Sequence, residues 1–449
     1  MAEHAVGLLN EDDGGVVGGP WIDAEPTGRS LGAARALLAG MALIMMGNGL
    51  QAAVLGVRAE NEGFGPAISG AVMAGFFLGF LFGAKMAEHF LGAVGHIRVF
   101  AALASLASAV SILHPLWVNP PAWVVLRVLF GLAMAGIYVT VESWLNDMGT
   151  NANRGRLLGT YLVVSMGGLA GGQLLLNGGD PVDFDLFIFS SVLISVALLP
   201  IALSASSAPP LVAPEPLPLR HLIALVPTGV LTAFCAGTSH GALLGVGAVY
   251  AAREGLSAAR ISLFLSVATL GAIVFTWPTG ALSDRISRRV VILAVAAVAA
   301  GVAGVMVWIE PGSPLSLAFM FLFGGTTFPL YSLAITHTAD WVPSNQLNGA
   351  SAGLVRMTGV GAVLGPVAAG LAMALIAPWA FFVVLVAPHA LIALFIGGRI
   401  AARKGILVNE QSEFSPWPVR ASAMAVNLLR RPPRPRRTEA GSVPSSRPR

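Results

Sequence analysis

Charge is the scarcest commodity in this chain. Asp, Glu, Lys and Arg make up 11% of 449 residues, against roughly 25% in an average soluble domain. With 55% hydrophobic residues, that scarcity excludes a soluble globular protein. A single cysteine, Cys235, excludes an intramolecular disulfide and a cysteine metal cluster, and its apolar neighbours read it as a small buried hydrophobe. There is no Gly-x-x-x-x-Gly-Lys-Ser/Thr loop, so direct nucleotide drive is not expected. There is also no His-Glu-x-x-His and no Gly-x-Ser-x-Gly, so no hydrolytic centre is expected either. The first thirty residues are acidic (Glu3, Glu11, Asp12, Asp13, Asp23 and Glu25) and lack the basic start of a cleaved signal, so the first apolar run is expected to be a retained span. The net charge of +4 sits largely in the C-terminal tail and implies no nucleic-acid partner.

What the chain has in excess is apolar sequence, in runs of the length that crosses a bilayer. Twelve spans are expected near residues 32–56, 65–86, 97–116, 122–145, 157–177, 186–206, 222–250, 259–279, 290–309, 315–336, 346–374 and 378–398. The 53 glycines suit helices that approach closely in lipid. Lys and Arg set the orientation. One set of short loops holds Lys85, Arg98, Arg154, Arg156, Arg285, Arg288 and Arg289, the other Arg58, Arg253 and Arg260. With eleven basic residues from Arg399 onward, this predicts both termini inside. A proline-rich stretch, SSAPPLVAPEPLPLR, divides the chain. The expected organisation is a tail (1–31), a six-helix bundle (32–206), a linker (207–221), a second six-helix bundle (222–398) and a basic, Pro-rich tail (399–449). Glycines recur at an offset of 194 between the halves: Gly131 with Gly325, Gly155 with Gly349, Gly167 with Gly361, and Gly171 with Gly365. The fold class predicted is all-α membrane protein, twelve transmembrane helices in two pseudo-symmetric bundles with a midplane site between them.

Residues Gly280 to Arg289, GALSDRISRR, set an acid and three arginines between two apolar runs. The pattern Gly-x-x-x-Asp-Arg-x-x-Arg-Arg resembles the loop signature of the major facilitator superfamily of transporters. The first-half counterpart, EHFLGAVGHIR from Glu88 to Arg98, is worn, with Gly92 and Ala93 where the acid and arginine are expected. RVLFGLAMAG, from Arg127, is similar to the Arg-x-x-x-Gly of the family's fourth span. Val141-Glu142-Ser143, the run Asn153 to Leu158, WPTGALSDR and the stretch Asn348 to Pro366 resemble the YcaD-like subgroup. The resemblance covers most of the twelve-span core and neither tail. It implies a secondary transporter working by alternating access, without cofactor or metal, monomeric, in a bacterial inner membrane. Its partners would be a small-molecule solute, protons and the lipid bilayer.

Candidate residues follow from burying charge, which costs about 2.5–3.5 kcal/mol per ionised group at a helix centre by insertion scales. Arg356 lies near mid-depth of span eleven and is expected to meet an anionic or amphipathic solute, or else to brace the bundle. Arg127 is associated in the family with proton transfer; the alternative is an arginine snorkelling to the near surface. His240, read as the histidine well inside a span, is a proton carrier or a hydrogen-bonded structural group. Asn48 and Gln51 share one face of span one, and Tyr138, Tyr161 and Tyr331 offer aromatic walls with polar tips. The resemblance implies a gate from Asp284, Arg285, Arg288 and Arg289. Glu142 either joins that gate with Arg98, Arg154 or Arg156, or carries a proton. Asp340 is expected to meet Arg285 or Arg288. Gly-x-x-x-Gly pairs at Gly167/Gly171 and Gly361/Gly365, the latter followed by Pro366, mark close packing; the resemblance to the family's Gly-Pro motif, which its antiporters carry in span five and which stands here in span eleven, implies a lean toward export. A receptor or assembly factor on the same scaffold is the alternative function.

Overall fold

A computed structural model describes residues 28–148, 154–202, 217–343, 346–402, 406–414 and 416. All secondary structure among the described residues is helical. That is the expected solution for an apolar chain in lipid, where each backbone N–H and C=O must find its partner within the segment. Twelve helices are long and apolar enough to span a membrane: α1 (Ala34–Asn61), α2 (Gly65–Val94), α3 (His96–Leu116), α4 (Pro120–Asn146), α5 (Gly155–Gly178), α6 (Asp185–Ala202), α7 (Pro227–Arg253), α8 (Ala258–Arg285), α9 (Arg288–Trp308), α10 (Pro314–Ala339), α11 (Leu347–Leu375) and α12 (Ala380–Ala402). Proline stands at the first or second helical position of α2, α7 and α10, where its missing N–H costs nothing. A short helix, Leu219–Leu225, precedes α7, within and just beyond the stretch expected to be linker.

Five helix pairings recur in the two halves. In the first, α2 packs on α4, α1 on α5 and α6, and α3 on α4 and α6; in the second, α8 packs on α10, α7 on α11 and α12, and α9 on α10 and α12. The halves meet through α2 with α11, α5 with α8, and α1 and α2 with α7. The inner helices α1, α4, α7 and α10 are buried over most of their length, whereas α9 and α12 expose apolar faces such as Val290, Val298, Leu391 and Leu394.

Glycine makes the tight crossings, and it corrects the repeat. At α2/α4 a side chain on Gly79 would meet the Val128 carbonyl and one on Gly131 the Phe76 carbonyl; at α8/α10 Gly271 faces the Phe321 carbonyl and Gly324 that of Ala268. At α1/α5, Gly168 and Gly172 lie on the carbonyls of Ala42 and Met46, as Gly361 and Gly365 of α11 lie on those of Phe234 and Thr238 of α7. Equivalent positions are therefore 193 apart in α4, α5, α10 and α11, and 192 apart in α1, α2, α7 and α8. The expected offset of 194 is wrong by a residue or two. So is the expected pair in span five: Gly167 has open space around it and Gly171 barely touches Met46. The extra residue of the second half falls between α9 and α10, a longer connection than the one between α3 and α4.

The expected charged loops are mostly helix. α8 runs to Arg285 and α9 begins at Arg288, leaving only Ile286 and Ser287 between them. In the first half Gly95 alone, at φ 85°, separates α2 from α3. A helix leaving the hydrocarbon needs no apolar residues to continue, and Arg285 in the last turn of α8 complements the carbonyl end of the dipole.

Candidate functional site

Where α1, α4, α7 and α10 face one another, polar side chains are buried among apolar ones. Glu142 of α4 is fully buried, which an acid near a helix end does not require. Its Oε1 accepts a hydrogen bond of 2.9 Å from the Tyr161 hydroxyl of α5. Tyr331 of α10, from the other half, lies within the electrostatic reach of the same carboxylate. Tyr138, one turn before Glu142, donates to Met45 Sδ at 2.9 Å. Tyr138 and Tyr331 are 193 apart and so occupy equivalent positions in the two halves. Asn48 and His240, 192 apart, are another such pair, both 2% exposed. Asn48, Tyr138, Glu142, His240 and Tyr331 are thus all buried on these four helices, two pairs of them at equivalent places in the repeat.

α10 is interrupted beside this group. Pro329 withholds an N–H from the helix ladder, and the regular helix pauses at Phe328, which keeps helical angles of φ −67° and ψ −39°. The His240 ring stacks on Phe328 with centroids 4.6 Å apart, and its Nε2 donates to the Thr327 carbonyl at 3.2 Å. His389 of α12 donates from Nδ1 to the Leu385 carbonyl at 2.6 Å, so its Nε2 accepts from the Thr327 hydroxyl at 2.8 Å.

A second polar group sits in the first half. Arg127 is 2% exposed and lies over the Phe76 ring at 4.8 Å and the Phe130 ring at 5.8 Å, a cation–π arrangement. It is therefore buried, not snorkelling. His114 of α3 neighbours it; His114 Nδ1 donates to the Val110 carbonyl at 2.7 Å, and the Gln51 amide lies 3.4 Å from the same nitrogen. His240 is thus not the lone histidine inside a span: His114 and His389 are buried within α3 and α12. Sequence reasoning passed over both because each stands among apolar residues with no neighbouring charge.

Arg356 departs from expectation. It is exposed, on the stripe of α11 that continues through Val360, Leu364 and Leu371. That stripe is the face turned away from the bundle. Its electrostatic neighbour is Glu88 of α2. It does not join the central group, because helical periodicity puts it on the opposite side from Thr358, Gly361, Ala362 and Gly365, which are buried.

The arginine-rich end gathers the remaining charges. Arg288, 2% exposed, pairs with Asp340 at the end of α10 and donates to the Thr336 carbonyl at 3.3 Å. It also meets Asp284 one turn back at 3.4 Å. Arg289 is buried, with its guanidinium 5.2 Å from the Trp341 ring centre, while Arg285 is exposed. Glu142 is not gathered here, and Arg98 and Arg156, two of its expected partners, are exposed; the Arg154 side chain lies outside the described residues. Missed by the sequence reading is residues 411–414, which return from beyond α12 to this cluster. Nothing in their composition signals it. At the opposite end Arg253 of α7 donates to Glu60 of α1 at 3.0 Å, an ion pair joining the halves.

Comparison with known proteins agrees with this architecture. The sequence profile of the Major Facilitator Superfamily matches residues 229–435, the half that keeps the charged signature. The chain is similar to transporters of the major facilitator superfamily. Among curated relatives, the "Uncharacterized MFS-type transporter YcaD" of Escherichia fergusonii is 27% identical over 301 residues, covering 66% of this chain and 77% of that protein. An uncharacterised MFS-type transporter of Yersinia pestis is 27% identical over 311 residues, covering 68% and 79%. Among solved folds, the nucleoside transporter NupG superposes with a TM-score of 0.68 at 12% identity, over 84% of this chain and 100% of that one. A bacterial homologue of the human lysosomal transporter Spinster gives 0.62 at 15%, over 90% and 98%. At these identities the solved structures speak to the fold.

Proposed function

We propose that this chain is a proton-coupled transporter and moves a small organic solute across a bacterial inner membrane, with both termini on the cytoplasmic side. The observation that carries the coupling is Glu142: a carboxylate with no exposure, held by Tyr161 and within electrostatic reach of Tyr331 of the other half. A buried carboxylate gains from being neutral and must be rehydrated to ionise. Alternating exposure of the two halves supplies that change of surroundings. We therefore favour the proton reading of Glu142 over the gate reading.

The solute site we assign is the group Asn48, Tyr138, His240 and Tyr331, with Gln51 and Arg127 to one side. Its neutral hydrogen-bonding groups and aromatic walls favour an uncharged or weakly polar solute. The anionic solute expected from Arg356 loses its basis, since that residue faces outward. Export is the direction proposed, on the Gly365-Pro366 step alone.

The test begins with a thermal-shift screen of purified protein against metabolites and drugs, followed by counterflow in proteoliposomes with each hit. Glu142→Gln is expected to abolish accumulation driven by an imposed pH gradient while leaving counterflow within about twofold. Gradient-driven accumulation that survives in Glu142→Gln, or that ignores the gradient in the wild type, would sink the proposal.

A further inference from the structure

The charge cluster at the arginine-rich end is capped by the chain's own tail. Beyond α12, residues 411–414 lie across the ends of α8, α9 and α10. The Ser412 N–H and hydroxyl both donate to Asp340 Oδ1, at 2.8 and 2.6 Å. The Phe414 N–H donates to Asp284 Oδ1 at 2.8 Å. In the other direction, Arg288 Nη2 donates to the Ser412 carbonyl at 2.6 Å and the Arg288 backbone N–H to the Gln411 side-chain oxygen at 3.3 Å. The tail thus supplies donors to two carboxylates and acceptors to the arginine between them. Hydrogen bonds to charged groups are the stronger kind, and here they converge from Gln411, Ser412 and Phe414.

Phe414 adds an apolar anchor. Its ring lies directly over Gly280, where any side chain would overlap it, and packs against the cluster containing Val291, Ile292, Leu333 and Ile396. Gly280, the first residue of the charged signature, therefore works here as the floor of a seat for an aromatic residue that is distant in sequence. The seat, the two carboxylates and the arginine belong to three different helices. A segment holding all of them ties the ends of α8, α9 and α10 into one body.

We propose that Gln411–Phe414 is a clasp that holds the arginine-rich end of the second half in the arrangement seen here, and that its release shifts the bundle toward the conformation open at that end. The clasp acts on the conformational equilibrium and is independent of solute and coupling ion. A ligand, lipid or modification that competes for the tail would change transport by mass action on that equilibrium, without entering the central site.

The test uses the full-length protein in nanodiscs and needs no substrate. Gly280→Ala fills the floor of the seat from the membrane side with a residue that favours helix, and Phe414→Ala removes the anchor from the tail side. Amide hydrogen exchange is followed at 283–290 and 336–342. Spin labels on cysteines placed at Arg98 and Leu282, both exposed, report the separation of the halves; native Cys235 is 1% exposed and does not compete for label. Both variants are expected to exchange at least tenfold faster in the two segments and to gain a longer-distance population at least twice that of wild type. Faster exchange confined to 406–416 in both variants, with segments and distances unchanged, would overturn the clasp and leave an ornamental tail.

Discussion

The same structural corner is built twice in this molecule, with different chemistry. In the first half, the start of α3 places His96 against Ser143 of α4, Nε2 to Oγ at 3.0 Å, with Trp144 beside the ring at 5.6 Å. In the second half, the start of α9 places Arg288 at the equivalent position, 192 residues on, against Thr336, the equivalent of Ser143. The first corner carries a histidine in place of the arginine and is closed by an aromatic ring. The second is ionic, reaches Asp284 and Asp340, and is covered by the tail. Gly92 stands where Asp284 would be. The worn signature of the first half is thus a corner rebuilt without the arginine and the acid. The difference teaches that pseudo-symmetry here preserves where helices cross and leaves the chemistry of their ends free to diverge.

Removing Arg288 is the strongest way to test that contrast. Arg288→Ala strands Asp340, whose side chain is 2% exposed, and breaking a buried pair costs about 3–5 kcal/mol. Thermal unfolding in detergent should show a large loss, whereas His96→Ala should cost about 1 kcal/mol, the scale of one neutral hydrogen bond. Equal losses would show that the two corners do the same mechanical job. Next in size is the glycine pair that the halves share. Gly172→Val and Gly365→Val should each destabilise by about 1–3 kcal/mol through overpacking, with Gly171→Val nearly silent. A silent Gly172→Val would undo the register drawn above.

That register shows how much of the fold was legible. Twelve spans, two halves and the duplication could be read because apolar runs of membrane length and recurrent glycines are strong signals. The residue-level alignment could not, because two adjacent glycines, Gly171-Gly172, satisfy the same spacing rule and only the helix facing them selects between them. Arg356 was misread for a related reason: depth along a helix can be counted from sequence, but which face looks inward depends on neighbours distant in the chain. The central group was partly legible, through Glu142, Tyr138, His240 and Tyr331. Their pairing across the repeat was hidden by the longer connection between α9 and α10. The return of residues 411–414 had no local signature at all.

Smaller effects sharpen the comparison further. Asp284→Asn should speed amide exchange at 283–290 by a few-fold, more than Glu88→Gln speeds it at the first-half corner, because Asp284 holds both Arg288 and the tail; equal effects would argue against the asymmetry. Arg356→Ala should change counterflow by less than twofold, and a tenfold loss of solute affinity would return that residue to the binding site.

The interruption of α10 at Phe328 has a mechanical consequence. A backbone that cannot complete its own ladder in hydrocarbon has to stay near whatever completes it. Here the Thr327 carbonyl is held by α7 and its hydroxyl by α12, so three helices are riveted together at mid-depth. Sliding α10 alone would shear those rivets in the place least able to offer replacements. The second half is therefore built to turn as a piece, and the compliance that transport requires must sit at the seams where α2 meets α11 and α5 meets α8.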